Sequence, residues 1–234
     1  MGATDMRSIL LIGILTGLSC TGASAQGVNF QAPAGCEAYL TVQMKGCLVS
    51  NHWRCEAEPE GHSWAALYGE RGPAVFSQFD REFQWLATVP AVGPSEKLDE
   101  ETADPLSLTE LLENGLDSFD FEMVDPDGRT RVRGFDALTG EEVVIDGERL
   151  LVTDFQMMQS RDGDVVSEST GQQYVHPEWR LFFLGDETNT RDGQTIASDN
   201  SPVSFLEPGE PGFGATRPLY GCGATDISYP LVAR

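Results

Sequence analysis

The chain has 234 residues, of which 37 are acidic and 15 basic, giving a formal net charge of −22. That balance repels nucleic acid and anionic membrane surfaces, so neither is expected as a partner. Its 40% hydrophobic content is enough to bury a real core, and the length suits a single β-rich domain.

The chain opens MGATDMRSILLIGILTGLSCTGASAQG. Arg7 precedes an apolar run from Ile9 to Leu18, and Ala23-Ser24-Ala25 supplies the small-x-small site that signal peptidase requires. We expect a signal peptide over residues 1–25, cleaved between Ala25 and Gln26, and a periplasmic or secreted mature protein. The apolar run is far shorter than the ~20 residues of a spanning helix, so no transmembrane segment is expected. Cys20 raises a lipoprotein alternative, but Gly17 stands where lipidation wants Leu, and Leu18 falls one position late. Met6 occupies the place where N-myristoylation needs Ser or Thr. Cleavage removes Asp5 and Arg7 together, which leaves the net charge unchanged.

The stretch CEAYLTVQMKGCLVSNHWRC, residues 36–55, reads as a β-hairpin. A two-residue turn at Lys45-Gly46 sets Met44 opposite Cys47, Val42 opposite Val49, Leu40 opposite Asn51, Ala38 opposite Trp53 and Cys36 opposite Cys55. One face is then almost wholly apolar, while the other carries Glu37, Thr41, Gln43, Ser50, His52, Arg54 and Glu56. This register points His52 to water, away from the sulfurs, and no C-x-x-C spacing supports zinc. Four cysteines remain after cleavage, an even number in an oxidising compartment, so two disulfides are expected: Cys36–Cys55 and Cys47–Cys222. The opposed pair Cys36 and Cys55 falls at a hydrogen-bonded site, where Cα atoms stand further apart, and a one-residue bulge would ease the bridge.

Alternating segments at 63–69, 74–79 and 83–89 read as further strands. The polar stretch at 92–105 reads as an exposed crossing loop or linker. In ADPLSLTELLENG, Ser107 and Glu110 form a capping box, Leu108, Leu111 and Leu112 an apolar stripe, and Gly115 a stop. The tetrad Asp125-Pro126-Asp127-Gly128 suits a type I turn. It pairs Val124 with Arg129, Glu122 with Arg131, Asp120 with Arg133, Phe121 with Val132 and Met123 with Thr130. Asp146-Gly147 predicts a type I′ hairpin pairing Val143 with Leu150 and Ile145 with Glu148. Arg161-Asp162-Gly163-Asp164 predicts a third turn. The strand at 179–184 holds Leu181-Phe182-Phe183-Leu184, apolar on both faces, as in a covered sheet. A strand at 203–206 leads into an extended, proline-rich surface strap ending near Cys222. The expected fold is therefore mainly β, an antiparallel meander closing into a barrel or half-barrel, with one short helix and two disulfides.

Few residues could carry chemistry. GHSWA (61–65) is close to the hydrolase nucleophile elbow, but Ser63 opens an alternating strand, where the elbow needs a strand-turn-helix, and only His52, His62 and His176 could serve as base. VDPDGR, RDGD and DETNTRDG lack the spacing and terminal glutamate of calcium loops and read as turns. His176-Pro177-Glu178-Trp179 reads as a strand-entry turn. No catalytic residue, cofactor or metal ligand is assigned. Phe119, Phe121, Met123, Val132, Leu150, Phe155, Met157, Trp179, Leu181 and Phe183 would line the concave face of the sheet, as an ordinary core or as a ligand cavity. The expected function is that of an exported, soluble, non-catalytic binding protein for an apolar or amphipathic ligand or a protein partner. The rivals are an envelope interaction module with a filled core and a hydrolase using Ser63.

Through NHWRC (51–55), LTGEEVVIDG (138–147) and SPVSFLEPGEPGFG (201–214), the chain resembles a group of uncharacterised bacterial secreted proteins that share similar segments in the same order. The resemblance implies no activity. In architecture alone, a signal peptide, a meander and one helix are similar to lipocalin-type barrels and to the half-barrels of periplasmic lipoprotein carriers, an analogy that does not fix function.

Overall fold

The structure, a computed structural model, describes residues 1–2 and 29–223. The expected cleavage point and Cys20 lie outside the described residues. The strands are β1 (Cys36–Met44), β2 (Leu48–Cys55), β3 (Ser63–Gly69), β4 (Gly72–Phe79), β5 (Trp85–Pro90), β6 (Glu96–Leu98), β7 (Leu116–Asp125), β8 (Gly128–Ile145), β9 (Glu148–Arg161), β10 (Asp164–His176), β11 (Leu181–Arg191), β12 (Gln194–Asp199) and β13 (Pro202–Leu206). The helix α1 (Leu108–Asn114) stands between β6 and β7. All strands join one 13-stranded antiparallel sheet in which each pairs with its neighbour in sequence, except that β13 returns to lie beside β1.

The sheet does not close into a barrel, because its ends, β12 and β13, share no ladder. Instead it curls over, so that its two halves face each other across a filled core. Leu40, Val42, Met44 and Leu48 from β1 and β2, with Phe205 from β13, pack against Leu150, Leu181 and Phe183. A second core gathers Leu106, Phe119, Phe121, Met123 and Val132. A third seats α1 through Leu108 and Leu111 on Val175, with Phe182 packed against it. The Leu181-Phe182-Phe183 run thus serves cores on both sides of the sheet, as its two-faced apolarity predicts.

Local signals fix the elements that position these cores. Ser107 caps α1, its side chain accepting from Glu110 N–H, and Gly115 closes the helix with φ 79° and an N–H to Leu111 O. The β7–β8 register is the expected one in every pair. Its ion pairs run diagonally, however, with Arg131 reaching Asp120 and Arg129 reaching Glu122 and Asp99. Asp146 at φ 52° and Gly147 at φ 90° make the type I′ turn that sets Val143 against Leu150.

Elsewhere the boundaries move for identifiable reasons. The expected strand at 83–89 starts instead at Trp85, because Asp80 Oδ1 accepts from Glu82 N and Gln84 N and holds Phe83 at φ 65°. The strand expected from 179 starts at Leu181, since Trp179 N donates to His176 Nδ1 in a turn that leaves Arg180 at φ 55°. The polar segment at 92–105 contains β6, which pairs with both β5 and β7, and Asp104 bridges to Asp120. The sheet therefore runs through that segment without a break.

Gly134 in β8 sits under the Phe119 ring, and a Cβ there would come 2.0 Å from Gln156 O and 2.7 Å from Phe119 Cζ. Gly134→Ala should cost about 1–3 kcal/mol by overpacking. Chemical denaturation checks this, and an unchanged midpoint would contradict the packing described.

An aromatic groove beneath the C-terminal strap

The geometry of β1 and β2 decides what lies on each side of the sheet. Their connection has three residues, Lys45-Gly46-Cys47, with Gly46 at φ 69° and Cys47 at φ 58°. The ladder therefore runs Met44–Leu48, Gln43–Val49, Val42–Ser50, Thr41–Asn51 and Leu40–His52, one step away from the two-residue expectation. A bulge at Tyr39 then restores Ala38–Trp53 and Cys36–Cys55. Both expected disulfides, Cys36–Cys55 and Cys47–Cys222, are formed.

This register corrects the placement of His52. A one-residue slip moves every side chain to the other face, so the imidazole enters the core and is 6% exposed. Its Nε2 lies 2.9 Å from Ser50 Oγ, and its ring meets Phe183 edge-on at 6.4 Å. Burial, aided by the Arg54 charge, pushes its pKa down to about 4. The Ser50–His52 contact is a hydrogen bond between two buried side chains.

The opposite face of β1 and β2 presents Thr41, Gln43, Asn51 and Trp53. The first three are fully buried because the strap, residues 214–222, lies over them. Beside the strap is a groove of about 570 Å³. Its floor is Trp53, Tyr68 and Phe76 from β2, β3 and β4. Its walls are Asn29, Phe30, Gln31 and Pro33 together with Thr216 of the strap. Phe30 N donates to Gly214 O at 2.6 Å, tying the walls together. Trp53 stacks on Trp64 at 5.8 Å and meets Phe30 at 5.0 Å, while Trp64 Nε1 and Gln78 Nε2 both donate to Glu58 Oε1. Trp53 is thus packed between Phe30, Trp64 and Phe76, and the volume lies in the range of small-molecule pockets. A smaller hollow of about 200 Å³ is lined by Arg133, Gly134, Gln156 and Met158.

The ten residues proposed from sequence as a cavity lining are divided. Phe119, Phe121, Met123 and Val132 join the second core, with Met157 packed against it. Leu150, Leu181 and Phe183 join the first, with Trp179 against it. Phe155 is buried outside both. None of them lines the aromatic groove. Ser63 is buried at the start of β3, opposite Phe79, while His52 bonds Ser50 and His176 Nε2 lies 3.1 Å from Glu148 Oε2. The aspartates of the turns serve the backbone: Asp125 accepts from Asp127 N, and Asp146 accepts from Phe205 N. Among the described residues, no group of three or more His, Cys, Asp or Glu side chains is placed to hold a metal ion.

One polar pair escaped the sequence reading. Asp117 and Asp136 face each other across β7 and β8 at inward positions, both buried. Asp117 Oδ2 accepts from Ser107 N at 3.0 Å, whereas Oδ1 is buried without a partner. Burial raises the Asp117 pKa to about 6, and burial plus the Asp117 charge raises that of Asp136 to about 7. The parity of LDSFDFEM already sets Asp117 in line with Phe119, Phe121 and Met123, which is the signal that could have found it.

Comparison with known proteins finds no matching family model, curated protein or solved structure.

An acid whose pKa is raised on folding contributes stability below its unfolded value and loses it as pH rises through the folded value. Asp136→Asn should therefore stabilise the protein at pH 8 by on the order of 1–3 kcal/mol and change little at pH 4. Thermal melts at both pH values check this, and an equal shift at both would contradict it. His52 acts in the opposite sense, losing its contribution as pH falls from 6.5 towards 4.

Proposed function

We propose that the protein is an exported, non-catalytic binding protein that takes an apolar or amphipathic ligand into the aromatic groove. The observation that carries this reading is the groove itself, an open aromatic site beside three filled cores. Site and interior are separate, unlike a lipocalin-type carrier that holds its ligand inside a barrel. Polar Asn29, Gln31 and Thr216 on the walls suit a ligand with one polar end. Two disulfides fit an oxidising compartment, and no helix among the described residues is long and apolar enough to cross a membrane. With the signal sequence expected over residues 1–25, they support a periplasmic or secreted location.

A second reading, an interaction module that docks a protein partner, is favoured by β12, which forms one edge of the sheet, and by exposed Val165 and Val166 on β10. Titration with the neutral fluorophore N-phenyl-1-naphthylamine separates the two. Groove binding gives saturable, one-site enhancement that Tyr68→Ala weakens at least about tenfold, as expected for losing a ring platform. Binding that is absent, or that survives Tyr68→Ala unchanged, would overturn the groove as the site and leave the docking module.

A further inference from the structure

The strap is held by a ladder of hydrogen bonds that reads only its main chain. Thr41 Oγ1 accepts from Gly214 N at 2.8 Å and donates to Asn51 Oδ1 at 2.7 Å. Asn51 Nδ2 donates to Ala215 O at 2.9 Å. Gln43 uses both ends of its amide, donating to Arg217 O at 3.2 Å and accepting from Leu219 N at 3.0 Å. Cys47 N–H completes the row by donating to Tyr220 O at 2.8 Å. Meanwhile Arg217, Leu219 and Tyr220 are exposed. Buried amides and hydroxyls demand partners, and here those partners are peptide groups of a strand-free segment that bends at Arg217 and at Tyr220-Gly221. The outer face of β1 and β2 thus has the chemistry of a receptor for a peptide main chain, and the chain's own strap fills it.

The strap is also fastened at its far end by Cys47–Cys222, a bond whose two ends differ in access: Cys47 is buried and Cys222 exposed. We propose that this face is a peptide-binding site for a segment of a partner protein that takes the strap's bent course, opened by reduction of Cys47–Cys222. The reductant is a dithiol oxidoreductase. Its thiolate attacks the exposed Cys222 Sγ, the Sγ–Sγ bond breaks, and Cys47 leaves as a thiolate that takes a proton. The second thiol of the reductant then resolves the mixed disulfide, releasing Cys222 as a thiol. Two electrons and two protons pass to the protein, and the dithiol becomes a disulfide.

The strap also indicates the class of segment. Residues 214–222, GATRPLYGC, include Arg217 and no acidic residue, in a chain of 37 acids and net charge −22. A neutral or basic peptide is therefore favoured. The latched strap excludes it, since a segment anchored at both ends, through β13 and through Cys47–Cys222, competes at far higher effective concentration than one anchored at β13 alone. Two positions are selective: Gly214 has φ 76° and Gly221 φ 72°, and a Cβ would come 3.3 Å from Phe30 O at the first and 2.8 Å from Gly46 N at the second. The incoming segment needs glycine at the first point and glycine, or a chain end, at the second.

The test compares the oxidised protein, the protein after reduction, and a Cys47→Ser/Cys222→Ser variant that keeps Cys36–Cys55. The probe is a fluorescein-labelled synthetic peptide of residues 213–222 with serine in place of its cysteine. Unlatching should speed amide exchange at Gly214 and Leu219 at least about tenfold while β7–β9 stay protected. Fluorescence anisotropy should show capture of the peptide by the unlatched forms but not by the oxidised protein. Gln43→Ala in the unlatched background should weaken capture at least about tenfold, because it deletes two main-chain contacts. Undiminished strap protection after reduction, or an opened strap that captures no peptide, would overturn the proposal. Loss of protection throughout β7–β9 would also overturn it, for the bond would then hold the fold and not a latch.

Discussion

The molecule depends on how its first hairpin turns. Three residues at Lys45-Gly46-Cys47, offset by the bulge at Tyr39, give β1 and β2 two buried faces of opposite chemistry. One face sends Leu40, Val42, Met44 and His52 into the main core. The other sends Thr41, Gln43 and Asn51 up to the strap and Trp53 into the groove floor. With a two-residue turn the imidazole would face water, and Asn51 would stand across from Leu40 on the core side. Core, strap and groove follow from one inserted residue.

That hairpin also explains how an open sheet remains stable. A curled sheet leaves two edges, and β13 covers one end of the structure by pairing with β1 and receiving Asp146 at its Phe205 N–H. The strap continues from β13 across the outer face and is fastened to the hairpin turn by Cys47–Cys222, a link between positions 175 residues apart. Cross-linking so distant a pair removes much chain entropy from the unfolded ensemble. The groove is assembled from the same parts, since its walls are the strap and residues 29–33. Its shape is consequently tied to the strap and to the bond that fastens it.

Much of the fold was legible in the sequence wherever two local patterns agreed. Asp125-Pro126-Asp127-Gly128 set a turn, and charge on one face with apolarity on the other confirmed its register. Ser107, Glu110 and Gly115 bounded the helix by their own hydrogen bonds. Both disulfides were readable because they depend on which ends meet, and the Tyr39 bulge brings Cys36 and Cys55 together despite the changed turn. The register between was not legible. Thr41, Gln43 and Asn51 are polar yet buried, because they are covered by residues more than 160 positions away, and alternation assumes that polar residues face water. The groove was hidden for a related reason. Trp53 read as core and Tyr68 and Phe76 only as residues of separate strands, and it is long-range pairing that brings the three together beside Phe30. β12 was too short and too polar for its period to register.

The most direct test of this account is the titration of His52 by NMR, resolved from His62 and His176. A core imidazole held by Ser50 and desolvated beside Phe183 should stay neutral down to about pH 5 and titrate near 4. A His52 that titrates near the ordinary value of 6.5, in fast contact with solvent, would mean that the hairpin turns in two residues. The two-faced ribbon beneath core, strap and groove would then not exist.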